Sequence, residues 1–115
     1  MIEKDPNGLD AHAPGAKLDA GKIRAWLCIS GFSRALAEVA DVTTKGAVKY
    51  TPGGWAQVED GSERYMDAFG RHMLALGRGD LYDQDTHSLH KAAMIWNLLA
   101  SLELELRDRR GHRQL

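Results

Sequence analysis

The sequence predicts an all-α protein, a small bundle of three to four main helices completed by association of copies. Three observations carry this. Apolar residues recur at three- and four-residue intervals in several stretches, the period of a helix with one buried face. No segment alternates apolar and polar residues convincingly as a strand. The 115 residues suit one domain with a modest core, and such a core gains from apolar surface hidden between copies.

The elements follow in order. Residues 1–16 carry Pro6, Gly8, Pro14 and Gly15 among polar neighbours and read as an irregular arm. The domain then runs over 17–108, with a basic tail at 109–115. In KLDAGKIRAWL, Asp19 is placed to cap a short helix from about Ala20. Gly31 interrupts it. Ser30 or Ser33 can cap a second helix, over about 32–48, with Phe32, Leu36, Val39 and Val42 on one face. The segment KYTPGGW ends that helix, because proline with two glycines is a strong break. Ser62 can cap a third helix, over about 63–76, with Tyr65, Phe69, His72 and Leu76 on one side. Gly70 lies inside it; glycine there costs about 1 kcal/mol relative to alanine, which points to a close helix–helix approach. After the turn-rich GRGDLYDQD, Thr86 can cap the last and longest helix, over about 87–108, with Leu89, Ala93, Trp96, Leu99 and Leu106.

Composition excludes several classes. The formal net charge is −1, which gives no general pull toward nucleic acid or a membrane surface. The longest apolar run, AAMIWNLLA, is too short to span a bilayer. The polar, acidic N-terminus does not read as a signal peptide. The single cysteine, Cys28, allows no intrachain disulfide and fits a reducing compartment. The expectation is a cytoplasmic protein.

Several constellations carry chemistry. Glu38 and Asp41 are i,i+3 neighbours, so both carboxylates leave one helix face. Such a pair suits a hard divalent cation that prefers oxygen ligands. The ordinary reading is a solvated edge, because Arg34–Glu38 and Asp41–Lys45 are i,i+4 pairs. Arg64, Asp67 and Arg71 share a face of the third helix, with Glu63 beside them. If the second and third helices pack antiparallel, Asp67 faces Glu38 and Asp41 and completes an acidic site between two helices. Arg64 and Arg71 then suit phosphate oxygens. Lys17, Lys22 and Arg24 form a further cationic cluster for phosphates or plain surface. Tyr50 and Trp55, in a glycine loop beside Lys49, can stack on a base or cap the core. His87 and His90 are i,i+3, a spacing open to zinc but more often found in hydrogen-bonded core or interface histidines. Asn97, in apolar surroundings, needs an internal partner. A P-loop is excluded, because GAKLDAGKI has the wrong glycine spacing and Ile23 where Ser or Thr should stand. The aspartates 80, 83 and 85 lack the order of a calcium-binding EF-hand.

Taken in order, KLDAGKIR, ALAEVADVTTKGAVKYTPGGW, RYMDAFGRH and GDLYDQDTHSLHKAAMIWN resemble the phage dATP/dGTP diphosphohydrolase family. These are the MazZ-type proteins, related to the MazG-like all-α nucleoside triphosphate pyrophosphohydrolases. The resemblance spans about 17–100. It implies hydrolysis of dGTP and/or dATP to the monophosphate and pyrophosphate, with Mg²⁺ or Mn²⁺ as cofactor. It implies E-x-x-E and E-x-x-D metal motifs on two helices. The first matches Glu38 and Asp41 in EVAD. In RYMD, Arg64 stands in the first acidic position and Asp67 in the second, so either the metal count is lower or Glu63 substitutes from one residue earlier. On this reading Glu38 also orients or deprotonates the attacking water. Lys17, Lys22, Arg24, Lys49, Arg64 and Arg71 contact phosphates, and Tyr50 and Trp55 contact base or sugar. His72, Asp83, His87, His90 and Asn97 stand behind the site or at a subunit contact. A dimer or tetramer in phage nucleotide metabolism, supporting a 2-aminoadenine genome, is the implied setting. The alternative is a non-catalytic phage module that binds nucleotide or protein, which the Arg64 departure favours.

Overall fold

The computed structural model describes residues 2–109. It is helical, with no strand among the described residues beyond an isolated antiparallel bridge between Tyr82 and Leu89. The basic tail expected over 109–115 lies, past Arg109, outside the described residues. No helix among the described residues is long and apolar enough to cross a membrane.

The chain divides into two compact units, Met1–Gly31 and Phe32–Leu115. The first is a set of turns organised by one buried carboxylate. Asp5 accepts hydrogen bonds from the backbone N–H groups of Asn7 at 2.7 Å and Leu9 at 3.3 Å through Oδ1, and from Lys17 at 2.9 Å through Oδ2. The Lys17 bond, with the other two, holds the Asp5 carboxyl below its ordinary range against the opposing effect of burial. Helix α1 is short, Ala25–Ser30, and buries none of its residues within the chain. It starts later than expected from the sequence. Asp19 does not cap it; its carbonyl instead accepts the Lys22 N–H at 3.1 Å, closing a turn.

The second unit contains α2 (Ser33–Lys49), a short 3-10 turn (Gly54–Gln57), α3 (Gly61–Gly77) and α4 (His90–Arg109). Helix α4 is the organiser. It packs most extensively against α3 and also against α2, while α2 and α3 make little or no contact with each other. The antiparallel α2–α3 pairing that would bring Asp67 to face Glu38 and Asp41 is therefore not formed within one chain. A loop of about a dozen residues allows many placements of α3 (Gly61–Gly77), and the small side chains of α4 offered it a closer seat.

The core consists of small residues. Val39, Ala75, Ala92, Ala93 and Ala100 are buried, together with Ser88, His90, Asn97 and Ser101. On α4, residues 93, 97, 100 and 101 recur at helical spacing and form one face. Asn97 satisfies its amide on the Ala93 carbonyl at 2.8 Å, the internal partner its surroundings require. Ser101 donates to the Ser62 carbonyl at 2.9 Å. Ser62 is thus inside α3 and tied to α4, and Asp60, in a left-handed conformation, precedes the helix in its place. The closest approach is at Gly61, where an added Cβ would meet Leu104 Cδ1 at 2.7 Å. At Gly70 nothing lies within 4 Å, so the close approach expected there is made one end of the helix away.

An aromatic trio packs between α3, α4 and the 3-10 turn. Trp55, Tyr65 and Trp96 meet edge to face, with centroids 5.4 to 6.5 Å apart. Such pairs contribute about 0.5–1.5 kcal/mol each beyond their burial. The Tyr65 hydroxyl donates to the Trp55 carbonyl at 2.8 Å, which ties the 3-10 turn to α3.

Two substitutions separate these glycines. Gly61→Val should lower the denaturant-unfolding free energy by about 1–3 kcal/mol through overpacking against Leu104. Gly70→Ala should raise it by up to about 1 kcal/mol, because alanine is the better helix former and meets no neighbour. A loss of stability at Gly70 would instead reveal another chain packed against it.

Candidate functional site

The junction of α2, α3 and the loop leading into α4 gathers most of the polar chemistry of the second unit. That loop is a small, well-bonded hairpin. The Asp83 N–H donates to the Ser88 carbonyl at 2.8 Å, and the His87 N–H to the Asp83 carbonyl at 2.8 Å. The His90 N–H donates to the Leu81 carbonyl at 2.9 Å. His87 turns the chain with φ of 63°, a left-handed conformation that a helix interior cannot hold. This is why α4 starts at His90, later than the sequence suggests. Thr86 does not cap the helix; its hydroxyl accepts the Ser88 N–H at 3.2 Å within the turn.

On the α2 side, the Ser88 hydroxyl donates to Asp41 Oδ2 at 2.8 Å. Lys45 reaches the same oxygen at 3.1 Å and Ser88 Oγ at 3.2 Å. The i,i+4 pair of Asp41 and Lys45 thus forms as its spacing allowed, while among the described residues Arg34 and Glu38 make no ion pair. The Ser88 bond, followed by the Lys45 contact, holds the Asp41 carboxyl below its ordinary range. One turn further along, Lys49 pairs with Asp85 at 2.9 Å and lies 5.4 Å from the Tyr50 ring centroid. Asp85 makes the Lys49 ammonium more basic than usual.

On the α3 side, His72 Nδ1 and His90 Nδ1 lie 2.8 Å apart, so one carries the proton that the other accepts. Asp83 Oδ2 lies 4.0 Å from His72 Nδ1. Burial, then the neighbouring His90 and Arg71, keep the His72 imidazole less basic than usual, outweighing Asp83. Burial alone would raise the Asp83 pKa, but the N–H groups of Thr86 and Asp85 on Oδ1, each at 2.9 Å, hold it below its ordinary value.

The residues singled out from sequence fall into three places. Asp41, Lys49, His72, Asp83 and His90 belong to this junction. His87 and His90 do not act as a pair: His87 is exposed on the turn, and His90 meets His72 from another helix. Glu38 on α2, and Glu63, Arg64, Asp67 and Arg71 on α3, are exposed. Among the described residues, Glu38, Asp41, Glu63 and Asp67 do not converge on a common point; the one group of three side chains placed so that they could hold a metal ion is His72, Asp83 and His90. Arg64 donates to the Glu59 carbonyl at 3.1 Å. Trp55 belongs to the aromatic trio, with the Arg107 guanidinium 5.3 Å over its ring, and Tyr50 is exposed. Lys17, Lys22 and Arg24 lie in the first unit, where Lys22 pairs with Glu3 at 2.8 Å. Sequence reasoning missed Ser88, whose role depends on a partner 47 residues away and leaves no local pattern.

An all-α chain with a carboxylate-bearing helix and a polar loop–helix junction is compatible with the nucleotide hydrolases that its motif order resembles. The family described as dATP/dGTP diphosphohydrolase, N-terminal, matches residues 12–114, and the chain belongs to it. No curated protein and no solved structure matches the chain.

The Asp41–Ser88 bond has a measurable consequence. Because the folded pKa of Asp41 is depressed, its contribution to stability is present above the ordinary carboxylate range and is lost as pH falls through the folded value. Ser88→Ala should move the Asp41 titration up toward that range, read by carboxyl NMR. It should also flatten the loss of stability below about pH 4. An unchanged Asp41 titration would show that Ser88 does not set it.

Proposed function

We propose that the chain hydrolyses purine deoxynucleoside triphosphates, dGTP and/or dATP, between the α and β phosphates, using Mg²⁺ or Mn²⁺. The family match over residues 12–114 carries this reading. The donor set fits the cation: Glu38, Asp41, Glu63 and Asp67 offer carboxylate oxygens, the ligands that hard divalent ions select. The carboxylates of one chain do not converge, so the proposed site draws on a second copy, in a dimer or tetramer. Large apolar side chains left exposed in one chain support that association. They include Leu74 at 67%, Leu98 at 47%, Leu99 at 50% and Leu102 at 50% exposure.

A bound divalent ion would neutralise triphosphate charge and acidify a water molecule. Glu38, exposed on α2, takes the proton from the attacking water. Lys49, Arg64 and Arg71 contact the phosphates. Tyr50, three-quarters exposed, offers its ring to base or sugar, whereas Trp55 serves the core before any ligand. The setting inferred from the motifs is the cytoplasm of a phage-infected cell, where dGTP hydrolysis feeds synthesis of a 2-aminoadenine genome. A second reading, nucleotide binding without turnover, is favoured by one observation. Arg64 stands where the wider superfamily has a metal-binding carboxylate, and its guanidinium donates to the Glu59 backbone carbonyl.

Product analysis decides between them. Incubation with each deoxynucleoside triphosphate and Mg²⁺ or Mn²⁺ should release monophosphate and pyrophosphate from dGTP or dATP. Glu38→Gln should lower kcat about 100-fold or more. Turnover that survives the substitution would remove Glu38 from the chemistry. Absence of turnover with every nucleotide and both metals would favour the binding module.

A further inference from the structure

We infer that His72, Asp83 and His90 form a binding site for a late first-row divalent cation of the Zn²⁺ class, separate from the proposed carboxylate site for Mg²⁺ or Mn²⁺. Three elements deliver the ligands: α3 supplies His72, the hairpin loop Asp83, and the first residue of α4 is His90. One ligand atom from each lies within 4.8 Å of the other two. Around a tetrahedral zinc, bonds of about 2.0–2.2 Å place ligand atoms roughly 3.3 Å apart. The two Nδ1 atoms, at 2.8 Å, need to part by about half an ångström, and Asp83 Oδ2, at 4.0 Å from His72 Nδ1, needs to close by a similar amount.

The surroundings are those of a prepared site. Asp83 Oδ1 is fixed by two backbone N–H groups, and Oδ2 is the atom turned toward His72. That division orients a ligating carboxylate. His90 is buried, yet 22% of the His72 side chain and 23% of the Asp83 side chain reach solvent. An ion therefore has a way in, and a water can take the fourth position. Two imidazoles with one carboxylate suit zinc or cobalt, whereas Mg²⁺ prefers an all-oxygen shell. Occupancy would fasten α3 to the start of α4 across the loop. The ion would therefore stabilise the fold as well as offer a Lewis-acidic position. The inference does not rest on nucleotide hydrolysis.

Cobalt reports on such a site directly. Tag-free protein, stripped with a chelator, should take up one Co²⁺ per chain with the visible absorption of a low-coordinate ion. Zn²⁺ should displace it, excess Mg²⁺ should not, and Zn²⁺ should raise Tm by several degrees. His72→Gln and Asp83→Asn should each weaken Co²⁺ binding about tenfold or more. His87→Asn, on the exposed turn, and Glu38→Gln should bind it as the wild type does, whatever becomes of hydrolysis in the latter. Circular dichroism confirms that each variant folds, and the two ligand variants serve as independent tests. The inference fails if the wild type shows neither the absorption nor the Tm shift. It fails equally if binding is unchanged in every folded ligand variant, or lost in His87→Asn.

Discussion

The close contact between α3 and α4 sets the geometry of the second unit. Across it Ser101 binds Ser62 and Gly61 meets Leu104, and the buried apolar residues of the two helices are all alanines, Ala75 on one and Ala92, Ala93 and Ala100 on the other. Interhelical distance follows the size of the side chains at the contact. Small residues allow the backbones close, and the polar groups that line the seam then fall within hydrogen-bond reach. Ser62 meets Ser101, and His72 meets His90, at opposite ends of the same packing. A bulkier seam would part both pairs.

The hairpin before α4 translates that packing into electrostatics. Two of its carboxylates are engaged in different ways. Asp83 faces inward and is stabilised as an anion by the turn's own N–H groups, while Asp85 faces outward to Lys49. Ser88, buried at the base of the turn, reaches across to Asp41 on α2. One short loop therefore addresses two helices that scarcely touch each other. The carboxylates of α2 and the nitrogen-rich cluster on α3 and α4 are two distinct chemical environments: Glu38 is exposed, whereas the imidazoles of His72 and His90 are sheltered.

The outer surface follows from the same economy of core. Because small residues fill the seam, many of the larger apolar side chains lie outside it: Met73, Leu74, Leu98, Leu99 and Leu102 on the helices of the second unit. In the first unit, Ile23 is 94% and Trp26 75% exposed, on or beside a helix that buries nothing within the chain. Exposed apolar side chains in such number are a feature of surfaces that meet a partner or a ligand.

The helical class, the break at KYTPGGW, the long final helix and the family were all legible in the sequence, because each rests on local spacing or on motif order. The faces were legible only in part: Val39, Tyr65 and Ala93 lie inward, whereas Phe32, Leu36 and Leu99, expected on the same faces, are exposed in one chain. Helix starts were less so, since a serine or threonine side chain can serve a turn or a neighbouring helix as readily as a cap. Ser62 and Thr86 both went elsewhere. Partnerships between helices were not legible at all. The spacing of Glu38 and Asp41 fixes that they leave the same face of α2, but not that Asp41 turns to Ser88 or that Asp67 stays apart. His87 and His90 read as a pair, yet a left-handed residue at His87 ends that register and gives His90 to His72, 18 residues away. Periodicity determines which way a side chain faces; what it faces is decided by which helices pack, and that depends on the volumes of residues far apart in the chain.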